Sequence, residues 1–297
     1  MTIFPVTALR SVELSTPSLD HSIAFYTGVW GLDLVAREGD KAWLAATGSD
    51  FHVLELKAGE GSDLRKVSFH TSSEDELERL AGVFSAQGAT FVRPLEAAPG
   101  PAGGRHFAVR EPQGCCLEFV HGDATKPARN VADRPVRLAH VNINSVDVDA
   151  LAGFYEQALG FALTDRSKAM AFLRCNSDHH AVVIADAPTN GLNHIAFLMP
   201  DLESVMRGAG NVKDAGYPIG WGVGRHGPGD NVFAYFVDPM GVVVEYTAEV
   251  LQVDDHYRVG CPDDWIWPPG RSDQWGIAPP KSEECKKAQI SVPFASP

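Results

Sequence analysis

Hydrophobic and polar positions follow two alternating rhythms between residues 136 and 250. HVNINSV (140–146) alternates residue by residue, the period of a strand with two unlike faces. VDALAGFYEQAL then sets Leu151, Phe154, Tyr155 and Leu159 at helical spacing, and Gly160 follows as the expected C-cap. Short strands are expected at AMAFLRCN (169–176) and HAVVIAD (180–186). The order then recurs: a strand at NHIAFLMP (193–200), a helix from about Leu202 to Ala215, and strands at VFAYFVD (232–238) and VVVEYTA (242–248). Strand-helix-strand units this short, punctuated by glycine turns, predict curved mixed sheets rather than a doubly wound nucleotide fold. No GxGxxG follows a first strand, so no nucleotide site is expected.

The same order is written twice in the chain. FYTGVWGLDLVAR (25–37) and FYEQALGFALTDR (154–166) share Phe, Tyr, Gly, Leu and Arg at an offset of 129. SDFH (49–52) matches SDHH (177–180) at 128, and EPQGCCLEF (111–119) matches DPMGVVVEY (238–246) at 127. So regular a match predicts two homologous domains, 1–125 and 136–250, joined by the polar linker KPARNVADRP (126–135) and followed by a tail, 251–297. The expected class is α+β. Each domain would pair two βαβββ modules into a curved mixed sheet around a cup.

Composition narrows the partners. A formal net charge of −13, with no run of Lys or Arg, disfavours nucleic acid and anionic membranes. Five cysteines are scattered without metal-ligand spacing and read as reduced thiols, which suits the cytoplasm. The first residues lack a basic segment followed by a long apolar one, and no apolar run approaches the ~18 residues of a membrane span.

Three residues of the second domain then stand out. His140 and His194 are expected to open the first strands of its two modules, and Glu245 lies inside the apolar strand VVVEY. An acid in such a strand costs several kcal/mol unless it is paired or bound to a cation. Singly, each residue is adequately explained by a hydrogen bond. The repeat changes the weight: the first domain has Ser11 and Lys66 opposite the two histidines and keeps Glu118 opposite Glu245. An ammonium cannot ligate a metal, so the first domain is expected to have kept the fold and abandoned a metal site. Two imidazoles and a carboxylate leave coordination positions open, the donor set suited to Fe(II) oxygen chemistry, with Mn(II), zinc and nickel compatible by ligand type.

At these residues the chain resembles the vicinal oxygen chelate superfamily, and within it the type I extradiol ring-cleavage dioxygenases. The resemblance runs from about residue 7 to 250. GRHGPGDNVFAYFVDPMGVVVE (224–245) carries that family's His, Tyr, acidic or small residue, Pro, Gly and Glu as His226, Tyr235, Asp238, Pro239, Gly241 and Glu245, with Ala234 where a larger apolar residue is usual. FLRCNSDHH (172–180) carries a second family motif. The resemblance implies metal ligands His140, His194 and Glu245, with Fe(II) ahead of Mn(II). It also implies an acid-base role for His180, catecholate binding by His226 and Tyr235, and Phe172 in the pocket wall. Substrates would be a small aromatic diol and O2, cleaved beside the diol, and a homo-oligomer is expected. Without the family motif, His179 and His180 read as an exposed pair at a turn, and Tyr235 as a core aromatic. A glyoxalase-like isomerase or thiol transferase would need the metal but not His180, His226 and Tyr235 as a set. A non-catalytic binder of an aromatic or drug would not need the three ligands. No Arg cluster marks a carboxylated substrate, which favours a neutral mono- or bicyclic catechol. The tail, with Trp265, Trp267 and Trp275, is expected to cover a domain face, a neighbouring subunit or the pocket mouth.

Overall fold

A computed structural model describes residues 4–296, so residues 1–3 of the first domain and 297 of the tail lie outside the described residues. The first domain is built from β1 (Val6–Thr16), α1 (Leu19–Gly28), β2 (Asp33–Glu38), β3 (Lys41–Ala45) and β4 (Leu54–Ala58). A second module repeats the order with β5 (Leu64–Thr71), α2 (Glu74–Ala86), β6 (Phe91–Ala97), β7 (Arg105–Arg110) and β8 (Cys116–His121). The second domain does the same. Its modules are β9 (Arg137–Ser145), α3 (Val148–Leu159), β10 (Ala162–Arg166), β11 (Met170–Arg174) and β12 (Val182–Asp186), then β13 (Gly191–Leu198), α4 (Leu202–Asp214), β14 (Trp221–Arg225), β15 (Val232–Val237) and β16 (Val243–Ala248).

Each domain forms one open eight-stranded sheet, ordered β2-β3-β4-β1-β5-β8-β7-β6 and β10-β11-β12-β9-β13-β16-β15-β14. Within a module the first and last strands pair in parallel, as β13 does with β16, and the modules meet antiparallel at β1/β5 and β9/β13. This is the paired βαβββ arrangement that the hydrophobic rhythm predicts, with helices on one face of each sheet. Asp147 caps α3 through the backbone N–H of Ala150, and Gly160 ends it in the left-handed region at φ 71°. Two expectations need correction. His140 and His194 do not open their strands but sit fourth in β9 and β13, because ladder pairing extends back to Arg137 and Gly191.

The domains are locked together by exchanged helix contacts around a continuous apolar core. Trp30, just after α1, is buried and stacks on Tyr246 of β16 at 3.8 Å between ring centroids, and meets Phe197 of β13 edge-on at 5.6 Å. Tyr246 donates its hydroxyl hydrogen to the Trp30 carbonyl at 2.7 Å. Reciprocally, Phe154 of α3 meets Phe84 of α2, and Phe161 meets Phe69 of β5. Side chains alternate along a strand, so Tyr246 faces Trp30 while its neighbour Glu245 faces the opposite side of the sheet. Tyr26 of α1 also donates to Asp238, 2.8 Å away, whose carboxylate accepts from the backbone of Met240 and Val242.

Trp30→Ala should lower stability by about 3–5 kcal/mol, read from urea denaturation, since it empties the inter-domain core. Asp238 should give a pH signature. Burial pushes its carboxyl up from 3.8 to about 6. The folded chain therefore holds this proton more tightly than the unfolded one, so the stabilising contribution is full below 3.8 and lost as pH rises through about 6. The stability difference between wild type and Asp238→Asn should accordingly fall as pH is raised across that window.

Candidate metal centre and its cavity

Three adjacent strands bring the predicted ligands onto one face. Ala196 of β13 is paired with His140 of β9 on one side and with Glu245 of β16 on the other, and His194 lies two residues back on that same face. The Nε2 atoms of His140 and His194 are 3.1 Å apart, and they lie 3.2 and 3.1 Å from Glu245 Oε2. All three side chains are buried.

These residues fit a divalent cation. Neither oxygen of Glu245 has a well-aligned hydrogen-bond partner, although the residue is fully buried, and among the described residues no Lys or Arg forms an ion pair with it. One donor atom from each of the three lies within 4.8 Å of the others, and this is the one such cluster among the described residues. Burial pushes the imidazole of His140 down to about 3 and that of His194 to about 4, so both are neutral, as ligation requires. His194 is aimed by a chain of amides: its Nδ1 meets Asn193 Oδ1 at 2.8 Å, and that oxygen also accepts from Gln289 at 2.6 Å.

The equivalent place in the first domain is solved differently. The register is the same, with Ser68 between Ser11 and Glu118 and with Lys66 two residues back. Here Glu118 is fully hydrogen-bonded. It accepts from Ser68 at 2.6 Å and meets His106 Nδ1 at 2.6 Å, while Lys66 Nζ lies 3.1 Å away. Glu13 and Glu55 also face Lys66, each at 3.5 Å. These carboxylates hold the ammonium well above its usual value despite burial, and Lys66 in turn holds the Glu118 carboxyl far below its own.

Beside His140 and His194 opens a cavity of about 400 Å3, and His180, His226, Tyr235 and Phe172 all line it. Tyr235 is paired with Glu245 across β15/β16; its hydroxyl lies 3.1 Å from His226 Nε2 and 3.5 Å from His194 Nε2. Burial, with the Glu245 charge close by, keeps the phenol well above its usual value and therefore protonated. The His226 ring stacks on Phe233 at 4.0 Å. His180 lies 4.5 Å from His140 between ring centroids, and burial with the neighbouring imidazoles holds it well below the usual histidine value. Gly229 is needed beside it: at φ +83° any Cβ would come within 2.8 Å of the His180 ring.

Several residues of this site were not picked out from sequence. Asp165 is completely buried and its Oδ2 lies 2.7 Å from His179 Nε2, while His179 Nδ1 lies 3.0 Å from His180 Nδ1. A carboxylate can only accept, so His179 donates from Nε2; when its ring is neutral, Nδ1 accepts, His180 carries its proton on Nδ1, and Nε2 is left as the basic nitrogen. Asp165 could have been found by the logic that singled out Glu245, an acid within a buried strand. The tail also enters the site. Trp265, Trp267, Ser272, Lys281 and Gln289 line the cavity, so of the three expected roles the tail includes closing over the pocket.

A family model, the Glyoxalase/Bleomycin resistance protein/Dioxygenase superfamily, matches residues 8–119 and 137–246. The chain belongs to that superfamily. Within it, the chain is similar to metapyrocatechase 2 of Cupriavidus necator, 30% identical over 236 residues, covering 71% of this chain and 70% of the relative. It is 25% identical over 260 residues to a manganese-dependent 2,3-dihydroxybiphenyl 1,2-dioxygenase of Geobacillus genomosp. 3, covering 77% and 80% of the two chains. An iron-dependent extradiol dioxygenase of Rhodococcus jostii is 24% identical over 226 residues, or 68% and 75%. Among solved structures, a Mn(II)-bound glyoxalase from Novosphingobium aromaticivorans superposes with a TM-score of 0.89 at 32% identity, covering 99% of this chain and 96% of that one. The 2,3-dioxygenase LapB from Pseudomonas sp. KL28 shares the fold, at a TM-score of 0.81 and 19% identity over 89% and 100% of the chains.

His194→Ala should lose most of the bound metal while keeping the fold. Lys66→Ala should lower stability by about 3–5 kcal/mol, because it strands buried carboxylates, yet keep one metal per chain. Elemental analysis of both variants checks this; two metals per wild-type chain would contradict it.

Proposed function

We propose that this protein is an Fe(II)-dependent extradiol dioxygenase, which opens a catechol ring beside the diol and places both atoms of O2 in the product. One observation carries the reading: an incomplete ligand set of two imidazoles and a carboxylate shares its cavity with a positioned base, His180, and with the hydrogen-bonding pair Tyr235 and His226. The names of the curated relatives, all ring-cleaving dioxygenases, support it.

A ferrous ion held by His140, His194 and Glu245 would supply Lewis acidity that favours the catecholate and redox chemistry that activates O2. The protein's own residues handle protons and orientation. His180, its Nδ1 engaged by the Asp165–His179 pair, takes the proton of a catechol hydroxyl at Nε2 and returns it as the O–O bond breaks. Tyr235 stays protonated and donates to a catecholate oxygen, with His226 fixing the direction of its hydroxyl. Phe172, Trp265 and Trp267 hold the ring and exclude water. The reaction needs no outside reductant, because the ring supplies the electrons that O2 accepts.

A second reading, a manganese isomerase, has the name of the Novosphingobium structure behind it. The set formed by His180, His226 and Tyr235 favours the dioxygenase, since an isomerase has no catecholate to orient.

Protein stripped of metal and reloaded anaerobically with Fe(II) or Mn(II) should consume one O2 per catechol in air and yield a yellow semialdehyde. Iron should give the faster enzyme. A colourless diacid, or isomerisation of a glutathione hemithioacetal without catechol turnover, would overturn the assignment. His180→Gln should keep its metal but lower kcat by about 100-fold.

A further inference from the structure

The cavity has one cationic wall that the proposed reaction does not use. Lys281, from the tail segment before α5 (Glu283–Ala288), lines the same space as His140, His180, His194, His226 and Tyr235. Its ammonium lies 4.5 Å from the Trp221 ring centroid and 5.7 Å from that of Tyr235, and it donates to Gln289 Oε1 at 2.6 Å. The Tyr235 ring in turn lies 4.9 Å from the His194 ring, so a single aromatic side chain separates this ammonium from a candidate metal ligand.

Among the described residues no carboxylate forms an ion pair with Lys281. The part-buried and buried cations of the first domain are treated otherwise: Lys66 has Glu13, Glu55 and Glu118, and Arg10 has Asp123 at 2.7 Å. An ammonium withdrawn from water is costly unless an anion or strong acceptors replace the hydration. Two rings and one amide oxygen compensate in part. Burial accordingly lowers the Lys281 value, countered by the neighbouring Cys285 thiol and, at a distance, by the Glu245 charge. Loading the centre removes the Glu245 contribution. A divalent cation with one carboxylate leaves a net charge of about +1, which a catecholate monoanion cancels while leaving Lys281 uncompensated. Two other charged residues on the wall, Lys168 and Asp186, are exposed and opposite in sign. Ser272, Asn193 and Gln289 supply neutral polar groups on the wall that carries Lys281.

We propose that Lys281 binds a carboxylate carried on the substrate's ring, so that the preferred substrate is a catechol with a short acidic side chain rather than a neutral one. The inference rests on the catechol-cleaving reading and names the substrate class of that same site. The neutral catechol expected from sequence followed from the missing Arg cluster; a lone lysine, brought in by the tail from beyond the repeat, gives no such signal in the chain.

The test uses full-length, metal-loaded protein under anaerobic conditions, with dissociation constants read by calorimetry. Two matched pairs of catechols are compared: 3,4-dihydroxyphenylacetate with 4-methylcatechol, and 2,3-dihydroxyphenylpropionate with 3-methylcatechol. In the wild type, one acid at least should bind about 10- to 100-fold more tightly than its neutral partner. Lys281→Met should reduce that ratio by 10-fold or more, and Lys281→Arg should retain most of it. A wild-type ratio near one for both pairs would overturn the proposal even if Lys281→Met failed to fold, and so would a Lys281→Met effect equal on acid and neutral ligand. Neutral catechols binding normally alongside either result would leave the dioxygenase reading standing. Failure of every catechol to bind would remove that reading and this inference together.

Discussion

A carboxylate sealed from water demands a cation, and both halves of this chain are arranged around that demand. Glu118 and Glu245 stand at the same register of the same strand in two copies of one fold. In the first copy the cation is the Lys66 ammonium, and every oxygen of Glu118 is satisfied from within the protein. In the second copy two neutral imidazoles replace the ammonium and its neighbouring serine, and both oxygens of Glu245 are left without a partner. The fold tolerates either solution because the requirement concerns charge. Only the second leaves lone pairs converging on a common point, with room beside them for a substrate.

The first domain is more than a remnant. The strands that carry His194 and Glu245 have an opposite face, and Trp30 and Tyr26 of the first domain pack there against Phe197, Tyr246 and Asp238. The backs of the ligand strands are thereby immobilised, which a lone sheet facing water could not achieve. The tail supports the centre from the cavity side: Gln289 props the amide that aims His194, and Trp265 and Trp267 close the wall. The candidate site thus draws on three stretches of chain that are far apart in sequence.

What the sequence reveals of this arrangement depends on the range of the interactions. The repeat and the two periodicities are local patterns, so the fold class and the module order were legible. The convergence of the three candidate ligands was legible because the second copy could be compared with the first, position by position. Asp165 and His179 were not recognised as a pair, since 14 residues and a strand reversal separate them. Lys281 was missed for a similar reason. Its meaning depends on Trp221 and Tyr235, which it reaches only through the path of the tail, and that path has no periodic signal. His140 and His194 were placed at strand starts because the three residues before each, Arg137 to Ala139 and Gly191 to Asn193, do not show clean alternation, although ladder pairing continues through them.

The central claim is that one cup holds a metal and its twin holds an ammonium instead. Anomalous diffraction, recorded across the absorption edge of the loaded metal in crystals of the full chain, tests it most directly. The account predicts one peak per chain, bonded to His140, His194 and Glu245, with none beside Glu118. A peak between Glu13, Glu55 and Glu118, or metal bound elsewhere while Glu245 stays unligated, would contradict it.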